Sequence, residues 1–196
     1  MKKLLFFIFF STLSLSSFTY MQFSFGVGTA DYDTTYLKGD SALFNATYSG
    51  YTDSNVMYSV SYALETTDLY IGNFVFDFDV DALTGSVGYA FGDLTEGSWT
   101  ISGAISSLSY TADGYDVDSL FDTSGYYASA GYTRMAEEGT NWSVGLTIDL
   151  DDCDDSCEVL AGSVYFPIGD SNWNFGLGAA FGDGVTSLSI GPVVKF

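Results

Sequence analysis

A chain of 196 residues is long enough for one domain, and its composition excludes several classes of protein. With 15 Tyr, 17 Phe and 22 Gly residues, it resembles neither a disordered chain, which is poor in aromatic residues, nor a helical domain rich in Glu, Lys and Leu. The net charge of −20 disfavours nucleic acid as a partner, because phosphate contacts need Lys and Arg.

The first residues have the pattern of a secretory signal peptide. Lys2 and Lys3 form a positive start, residues 4–10 are an apolar core, and residues 11–17 are mostly small. The apolar core is too short for a membrane-spanning helix, which needs about 20 residues. We predict a signal peptide at 1–16, with cleavage between 16 and 21, and one domain at 17–196; an uncleaved interfacial anchor is the alternative. Removal of the signal peptide leaves three basic residues against 25 acidic ones, and so a net charge of −22.

After this segment the chain shows alternating apolar and small or polar residues and no helical periodicity. Because successive side chains of a strand point to opposite faces, this alternation predicts strands with one apolar wall. Most of the segments have about ten residues, the length that a tilted strand needs to cross a bilayer. Ten strands are predicted, at 20–30, 41–51, 56–65, 82–91, 98–110, 124–135, 142–150, 159–168, 173–182 and 187–196.

The links between these strands alternate in length. The short ones are 52–55, 92–97, 137–141 and 169–172, and the longer ones are 31–40, 66–81, 111–123 and 151–157, followed by a short link at 183–186. Transmembrane β-barrels place short turns on the periplasmic side and longer loops outside. In 66–81, strands three and four are predicted to run past the bilayer and meet at Gly72 and Asn73. A separate hairpin there gives 12 strands, and a count of 8 is the other alternative.

Three tryptophans recur at one position of this pattern. Trp99, Trp142 and Trp173 each directly follow a short link and so begin a strand at the same level. A soluble β-sandwich is the alternative, but it does not explain tryptophan after alternate links only. We therefore predict a periplasmic aromatic girdle, which includes Tyr51, Tyr58, Tyr89, Phe91, Tyr132 and Phe166.

The predicted inward walls consist mainly of small residues, as in Ser143, Gly145, Thr147 and Asp149. Small polar side chains leave space that holds water, which favours a narrow pore over a solid plug. Closure by Tyr127, by Tyr165 or by an infolded loop 111–123 is the alternative. Inward Glu65 and Asp149 are the predicted selectivity residues, because acidic groups at a mouth raise the local cation concentration.

Other chemistry is sparse in this sequence. Cys153 and Cys157 are predicted to form a disulfide, with a metal pair as the alternative. The acidic loops could gather divalent cations weakly, although Asp77, Asp79 and Asp81 lack the Gly and Glu of a calcium loop. Because the chain has no His, a Ser-His-Asp site cannot be built, and no enzyme, cofactor or metal site is expected.

The last strand carries a family resemblance. Leu188, Ile190, Pro192, Val194 and Phe196 share one face, and the chain stops on that aromatic residue. Together with the signal segment, the hairpin pattern and the tryptophans, this last strand makes the chain resemble small porin-like outer-membrane proteins of Gram-negative bacteria. The resemblance implies an all-β, antiparallel, up-and-down transmembrane β-barrel in the outer membrane. It also implies outer-membrane lipids and the barrel-assembly machinery as partners, the latter reading Phe196.

Two functions are consistent with such a barrel, because fold alone does not fix function. The first is a narrow passive channel for small hydrophilic solutes with a preference for cations. The alternative is a non-conducting structural or adhesive surface barrel that acts through its acidic, Tyr-rich extracellular loops.

Overall fold

The computed structural model describes residues 18–33, 38–71, 74–120, 123–151, 158–182 and 185–196. Within them it contains ten long strands, one two-residue strand and a short 3-10 helix at Asp118–Leu120. The strands are β1 (Phe18–Asp33), β2 (Lys38–Thr52), β3 (Val56–Ile71), β4 (Phe74–Ala90), β5 (Ser98–Ala112), β6 (Tyr115–Asp116), β7 (Ser124–Arg134), β8 (Asn141–Asp149), β9 (Glu158–Pro167), β10 (Trp173–Gly182) and β11 (Val185–Lys195).

The ten long strands form one closed antiparallel ring. Each pairs with the long strands before and after it in the chain, and β1 pairs with β11 to complete the circle. Short β6 pairs only with β5. Over the described residues, no helix has the length and apolar character needed to cross a membrane. The prediction of an up-and-down β-barrel with ten strands is confirmed.

The hairpin of β3 and β4 extends past its neighbours. Its register is continuous from Val56 opposite Tyr89 to Ile71 opposite Phe74, so the prediction that these strands run on and meet is confirmed. The alternative of a separate hairpin with 12 strands is wrong. Pairing of β2 with β3 ends at Thr66, and pairing of β4 with β5 ends at Phe78. Residues 67–71 and 74–77 therefore form a two-stranded projection, called the ribbon below.

The loop predicted at 111–123 contains β6 and the 3-10 turn. Asp113 and Gly114 have positive φ angles of 49° and 79°, which reverse the chain between β5 and β6. The Asp118 carboxylate accepts a hydrogen bond from the Tyr110 amide at 2.6 Å, which closes the loop onto β5. The sequence does not predict β6 because a two-residue strand carries no alternation.

The outside of the barrel is an apolar belt. Val144, Leu146, Ile148 and Leu150 are 40–62 % exposed, and Trp173, Phe175, Leu177 and Phe181 are 38–51 % exposed, which confirms the predicted outward wall. On β8 the belt extends from Trp142 to Leu150, about nine residues, which is the span of a tilted strand across a bilayer. By alternation, Asp31, Asp81 and Glu158 face outward at the long-loop end, where the belt stops.

Candidate functional site

The middle of the lumen is lined by hydroxyl groups. Inward Ser and Thr side chains pair across neighbouring strands at 2.6–2.9 Å, as Ser59 with Ser86, Thr84 with Ser106, Ser129 with Thr147, and Ser143 with Ser163. A cavity of about 130 Å³ opens between Ser24, Asn45, Thr47, Ser163 and Ser189. The prediction of small polar inward residues is confirmed, and this part of the lumen has space for water.

The short-turn end of the lumen is closed by a packed cluster, called the plug below. Its members are Tyr20, Tyr51, Ala90, Leu94 and Met135, each at most 7 % exposed, and Met57 packs against them. Leu94 belongs to the link between β4 and β5, and Met135 to the link between β7 and β8. Both links fold into the end of the barrel instead of away from it, so their apolar side chains fill the lumen.

Hydrogen bonds tie the plug to strands around the ring. The Asn141 amide group donates to the Tyr20 hydroxyl at 2.7 Å, and that hydroxyl donates to Gln22 Oε1 at 2.8 Å. The Tyr51 hydroxyl donates to the Met135 carbonyl at 3.2 Å, and the Met135 amide donates to the Leu94 carbonyl at 2.8 Å. Because β2 and β7 lie on different sides of the ring, these contacts reach across the lumen.

A buried lysine completes the plug. The Lys195 ammonium group, on β11, donates to the backbone carbonyls of Ala136 at 3.0 Å, Gly139 at 3.3 Å and Glu137 at 3.4 Å. Lys195 is 7 % exposed, so these carbonyls replace much of its hydration. The sequence places Lys195 on the polar face of the last strand but does not predict this contact. Its one signal is an inward lysine close to the predicted short links.

The predicted causes of closure differ from the observed one. Tyr115 is 76 % exposed, so the β6 part of loop 111–123 is not infolded. Tyr165 lines the cavity and Tyr127 is half-buried, but neither belongs to the plug. Closure comes instead from Leu94, in the link predicted as a polar turn at 92–97, and from Met135, predicted as the last residue but one in the segment that ends the strand at 124–135. The sequence does not predict this because a single Leu or Met at the end of a strand or in a turn carries no periodic signal.

Most predicted girdle residues surround the short-turn end. Trp99, Trp173, Tyr89, Phe91 and Phe166 are 44–66 % exposed, and Trp142 stacks on Tyr132 with ring centroids 5.4 Å apart. Two members are corrections: Tyr51 is in the plug, and Tyr58 is 4 % exposed, lying against Gly50 and beside Tyr48. Both are held in place by neighbouring strands and not by lipid.

The two predicted selectivity residues lie near the long-loop end and far apart around the ring. Half-buried Glu65, on β3, accepts a hydrogen bond from the Ser41 hydroxyl at 2.5 Å. Half-buried Asp149, on β8, accepts one from the Asp151 amide at 3.0 Å. Their strands are separated by β4, β5 and β7, so each carboxylate contributes to the mouth independently.

Charge is divided between the two ends of the barrel. Arg134 and Lys195 lie at the short-turn end, whereas carboxylates crowd the long-loop end. Two carboxylates stand directly opposite each other there, Asp68 and Asp77, an arrangement that destabilises a hairpin. In the part of the chain that the structure describes, no three His, Cys, Asp or Glu side chains could together hold a metal ion. Cys153, Cys157 and the predicted signal peptide lie outside the described residues.

Comparison with known proteins supports the fold. No protein-family model matches the chain, and no curated protein matches it. Among solved structures, the outer membrane protein OprG from Pseudomonas aeruginosa has a TM-score of 0.51 at 12 % identity, covering 92 % of this chain and 97 % of that one. Neisserial surface protein A gives 0.41 at 15 % identity, covering 90 % and 94 %. The KdgM porin in complex with disordered oligogalacturonate gives 0.41 at 10 % identity, covering 89 % and 99 %.

At such identities the likeness concerns the fold alone. We base it on the OprG structure, whose TM-score is 0.51. The closed ring of ten strands and the apolar outer belt agree with it, because a barrel with no free edge satisfies all backbone polar groups inside lipid. The chain therefore has the fold of a Gram-negative outer-membrane β-barrel protein.

Proposed function

We propose that the protein is an outer-membrane surface barrel that does not conduct in its resting state and that acts through its long-loop end. The plug carries this proposal. Tyr20 and Leu94 are each 1 % exposed at the short-turn end, so the plug packs their side chains away from water across the path that a solute would take. The hydrogen bonds of Asn141 and Lys195 hold the link between β7 and β8 in place, and the Met135 amide joins that link to Leu94.

The exposed features of the long-loop end support the same proposal. Phe74, on the ribbon, is 71 % exposed, and Tyr115, beside β5, is 76 % exposed. Both lie beyond the level at which outward Asp81 and Asp31 end the apolar belt, so lipid does not account for their exposure. Large exposed aromatic residues in water are typical of contact surfaces.

A second candidate is the narrow passive channel for small hydrophilic solutes with cation preference. The cavity between Ser24, Asn45 and Ser189 supports it, because hydroxyl and amide groups can replace the water of a hydrophilic solute. Glu65 and Asp149 would then favour cations at the mouth. This function requires the plug to move aside.

Conductance in planar bilayers separates the two candidates. Folded wild-type protein is expected to give no single-channel steps, whereas the double variant Leu94→Ala/Met135→Ala, which thins the plug, is expected to give them. Leu150→Ala, on the outer wall, is the matched control and should stay silent. Stable steps from the wild type would contradict the proposal and favour the channel. Glu65→Gln and Asp149→Asn should then reduce its cation preference, most clearly at low salt.

A further inference from the structure

The β3 edge of the ribbon is covered by no described strand, whereas on the β4 edge the Asp77 backbone is hydrogen-bonded to Asp113. Pairing of β2 with β3 ends at Ala42 opposite Thr66, yet β2 stays paired with β1 as far as Lys38. The hairpins β1–β2 and β3–β4 therefore separate above this level, and residues 67–71 pair only with β4. A free edge presents backbone N–H and C=O groups to which an extended peptide can add as a new strand.

The two faces of the ribbon differ in chemistry. Asp68 and Asp77, which are direct cross-strand partners, lie on its outward face, and Asp79 continues this face where β4 joins the barrel. Phe74 and Phe76 lie on the face that continues the lumen wall, which Phe78 continues into the barrel. Phe74 and Phe76 have ring centroids 6.4 Å apart, and Phe78 stacks on Tyr110 at 5.9 Å. Exposure falls from 71 % at Phe74 to 3 % at Phe78, so the aromatic face leads from water into the mouth.

Thr67 marks the point where the free edge meets the barrel. It is 5 % exposed, and its hydroxyl has no hydrogen-bond partner among the described residues. It follows directly on Thr66, the last residue of β3 that pairs with β2. A strand added at this edge would begin next to that hydroxyl and could supply its missing partner.

We propose that the ribbon docks an extended cationic segment of a partner protein, which adds to the edge of β3 as a strand. Because side chains alternate along a strand, such a segment would carry Lys or Arg beside the acidic face and apolar residues beside the aromatic face. The cations would relieve the repulsion between Asp68 and Asp77. This inference rests on the proposed function as a surface-acting barrel, and it names the partner chemistry.

Charge complementarity selects this partner over a second copy of the chain. Beyond the predicted signal segment the chain has only Lys38, Arg134 and Lys195 as basic residues. Lys195 is buried in the plug, and the Arg134 guanidinium donates to the Thr140 carbonyl at the short-turn end. The protein therefore offers its own ribbon no cationic strand, and a copy would bring further carboxylates.

Fluorescence anisotropy with labelled synthetic peptides tests the proposal on the full barrel in nanodiscs. The probe is a ten-residue peptide that alternates Lys and Val. Its controls are a peptide of the same composition with the residues in blocks of two, a peptide alternating Glu and Val, and the probe N-methylated along both edges. The alternating Lys peptide is expected to bind about tenfold more tightly than each control, and binding should weaken as salt rises.

Variants locate the contact. Asp68→Asn/Asp77→Asn and Phe74→Ser/Phe76→Ser should each weaken binding of the alternating Lys peptide about tenfold. Glu96→Gln/Asp170→Asn, which removes two exposed charges at the opposite end, should leave it unchanged. The inference would be overturned if the N-methylated or the block peptide bound as tightly as the alternating Lys peptide. It would also be overturned if the ribbon variants bound that peptide as tightly as the wild type does. Channel steps from the wild type would instead overturn the proposed function and leave peptide binding as a separate result.

Discussion

The Lys195 ammonium group donates a hydrogen bond to the Ala136 carbonyl at 3.0 Å, and so joins the last strand to the link between β7 and β8. The two residues are far apart in the chain, and three strands, β8 to β10, separate their positions around the ring. The contact holds an infolded link against the opposite wall. It also depends on a closed barrel, because Lys195 reaches its place only when β11 has paired with β1.

Lys195→Met is expected to destabilise the barrel by about 2–3 kcal/mol, because it removes a charged donor and leaves the buried Ala136 carbonyl without this partner. Urea-induced unfolding in detergent micelles measures this loss. Lys195→Arg keeps the charge but replaces the compact ammonium group by a planar fork, so an intermediate loss is expected. A Lys195→Met variant as stable as the wild type would show that the three carbonyl contacts contribute nothing.

Tyr20→Phe removes one oxygen that serves two partners. The hydroxyl accepts from Asn141 and donates to Gln22, which are 1 % and 6 % exposed, so both amide groups would lose a buried contact. A loss of about 1–3 kcal/mol in unfolding free energy is expected. Tyr51→Phe, which removes one hydrogen bond to the Met135 carbonyl, is the control and should cost less. A larger loss of unfolding free energy in Tyr51→Phe than in Tyr20→Phe would contradict the stronger contribution assigned to the Tyr20 hydroxyl.

The features that the sequence predicts well are those that repeat. Val144, Leu146 and Ile148 alternate with Ser143, Gly145 and Thr147, and both walls are found where the period of two places them. The plug could not be predicted in this way. Leu94 and Met135 are single apolar residues in turns, and their burial depends on which links meet across the lumen. Tyr51 differs, because it shares a face of β2 with Asn45 and Thr47, so the period of two places it inward although its level is that of the girdle.

Leu146→Arg tests the apolar belt at its middle. Leu146 is 41 % exposed and stands midway between Trp142 and Leu150 on β8. Placing a charge at the bilayer midplane of a β-barrel costs about 2–4 kcal/mol, and near the interface only about 0–1 kcal/mol. Leu150→Arg, at the end of the belt, is therefore the matched control. Folding free energies in lipid vesicles measure both, and equal losses would contradict the assigned position of the belt.

The turn between β4 and β5 should respond to acid through Asp93. The Thr95 hydroxyl and amide both donate to the Asp93 carboxylate, at 2.7 and 2.8 Å, and these bonds lower the pKa of Asp93. A lowered folded-state pKa means that the stabilisation is present above the unfolded value, about 3.9, and is lost as the pH falls through the folded value. Asp93→Ala should thus unfold faster than the wild type at pH 7, with a difference that shrinks below about pH 4.

The control for this prediction is another exposed turn residue. Asp170→Ala removes a charge from the link between β9 and β10, far from the Thr95 donors. Its unfolding rate should differ little from that of the wild type at pH 7. A difference between Asp93→Ala and the wild type that stays constant down to strongly acidic pH would show that the carboxylate is not the stabilising group.

The seam between β1 and β11 should depend on Gly191. A Cβ atom at this position would collide with the Phe25 carbonyl oxygen and would also meet the Gly26 backbone. The strand pairing of β1 with β11 does not include Gly191. It continues from Ser24 opposite Val193 to Val27 opposite Ile190. Because both colliding groups belong to the backbone, no side chain can turn aside, and the strands would have to move apart. Gly191→Ala is therefore expected to lower the yield of the folded form that migrates differently before and after heating on a gel.

Gly103→Ala supplies the matched control for the seam. A Cβ atom at Gly103 would have the Tyr127 carbonyl oxygen as its nearest neighbour, at 3.8 Å, which is an ordinary contact. Gly103 lies on β5, which pairs with β7 away from the seam. This variant should fold as well as the wild type, since a glycine-to-alanine change in a strand without a clash reduces chain entropy in the unfolded state. If the two variants gave equal yields of folded barrel, close backbone approach at Gly191 would not be what closes the ring. A selective loss in Gly191→Ala would show that closure between β1 and β11, on which the Lys195 contact also depends, requires a residue without a side chain there.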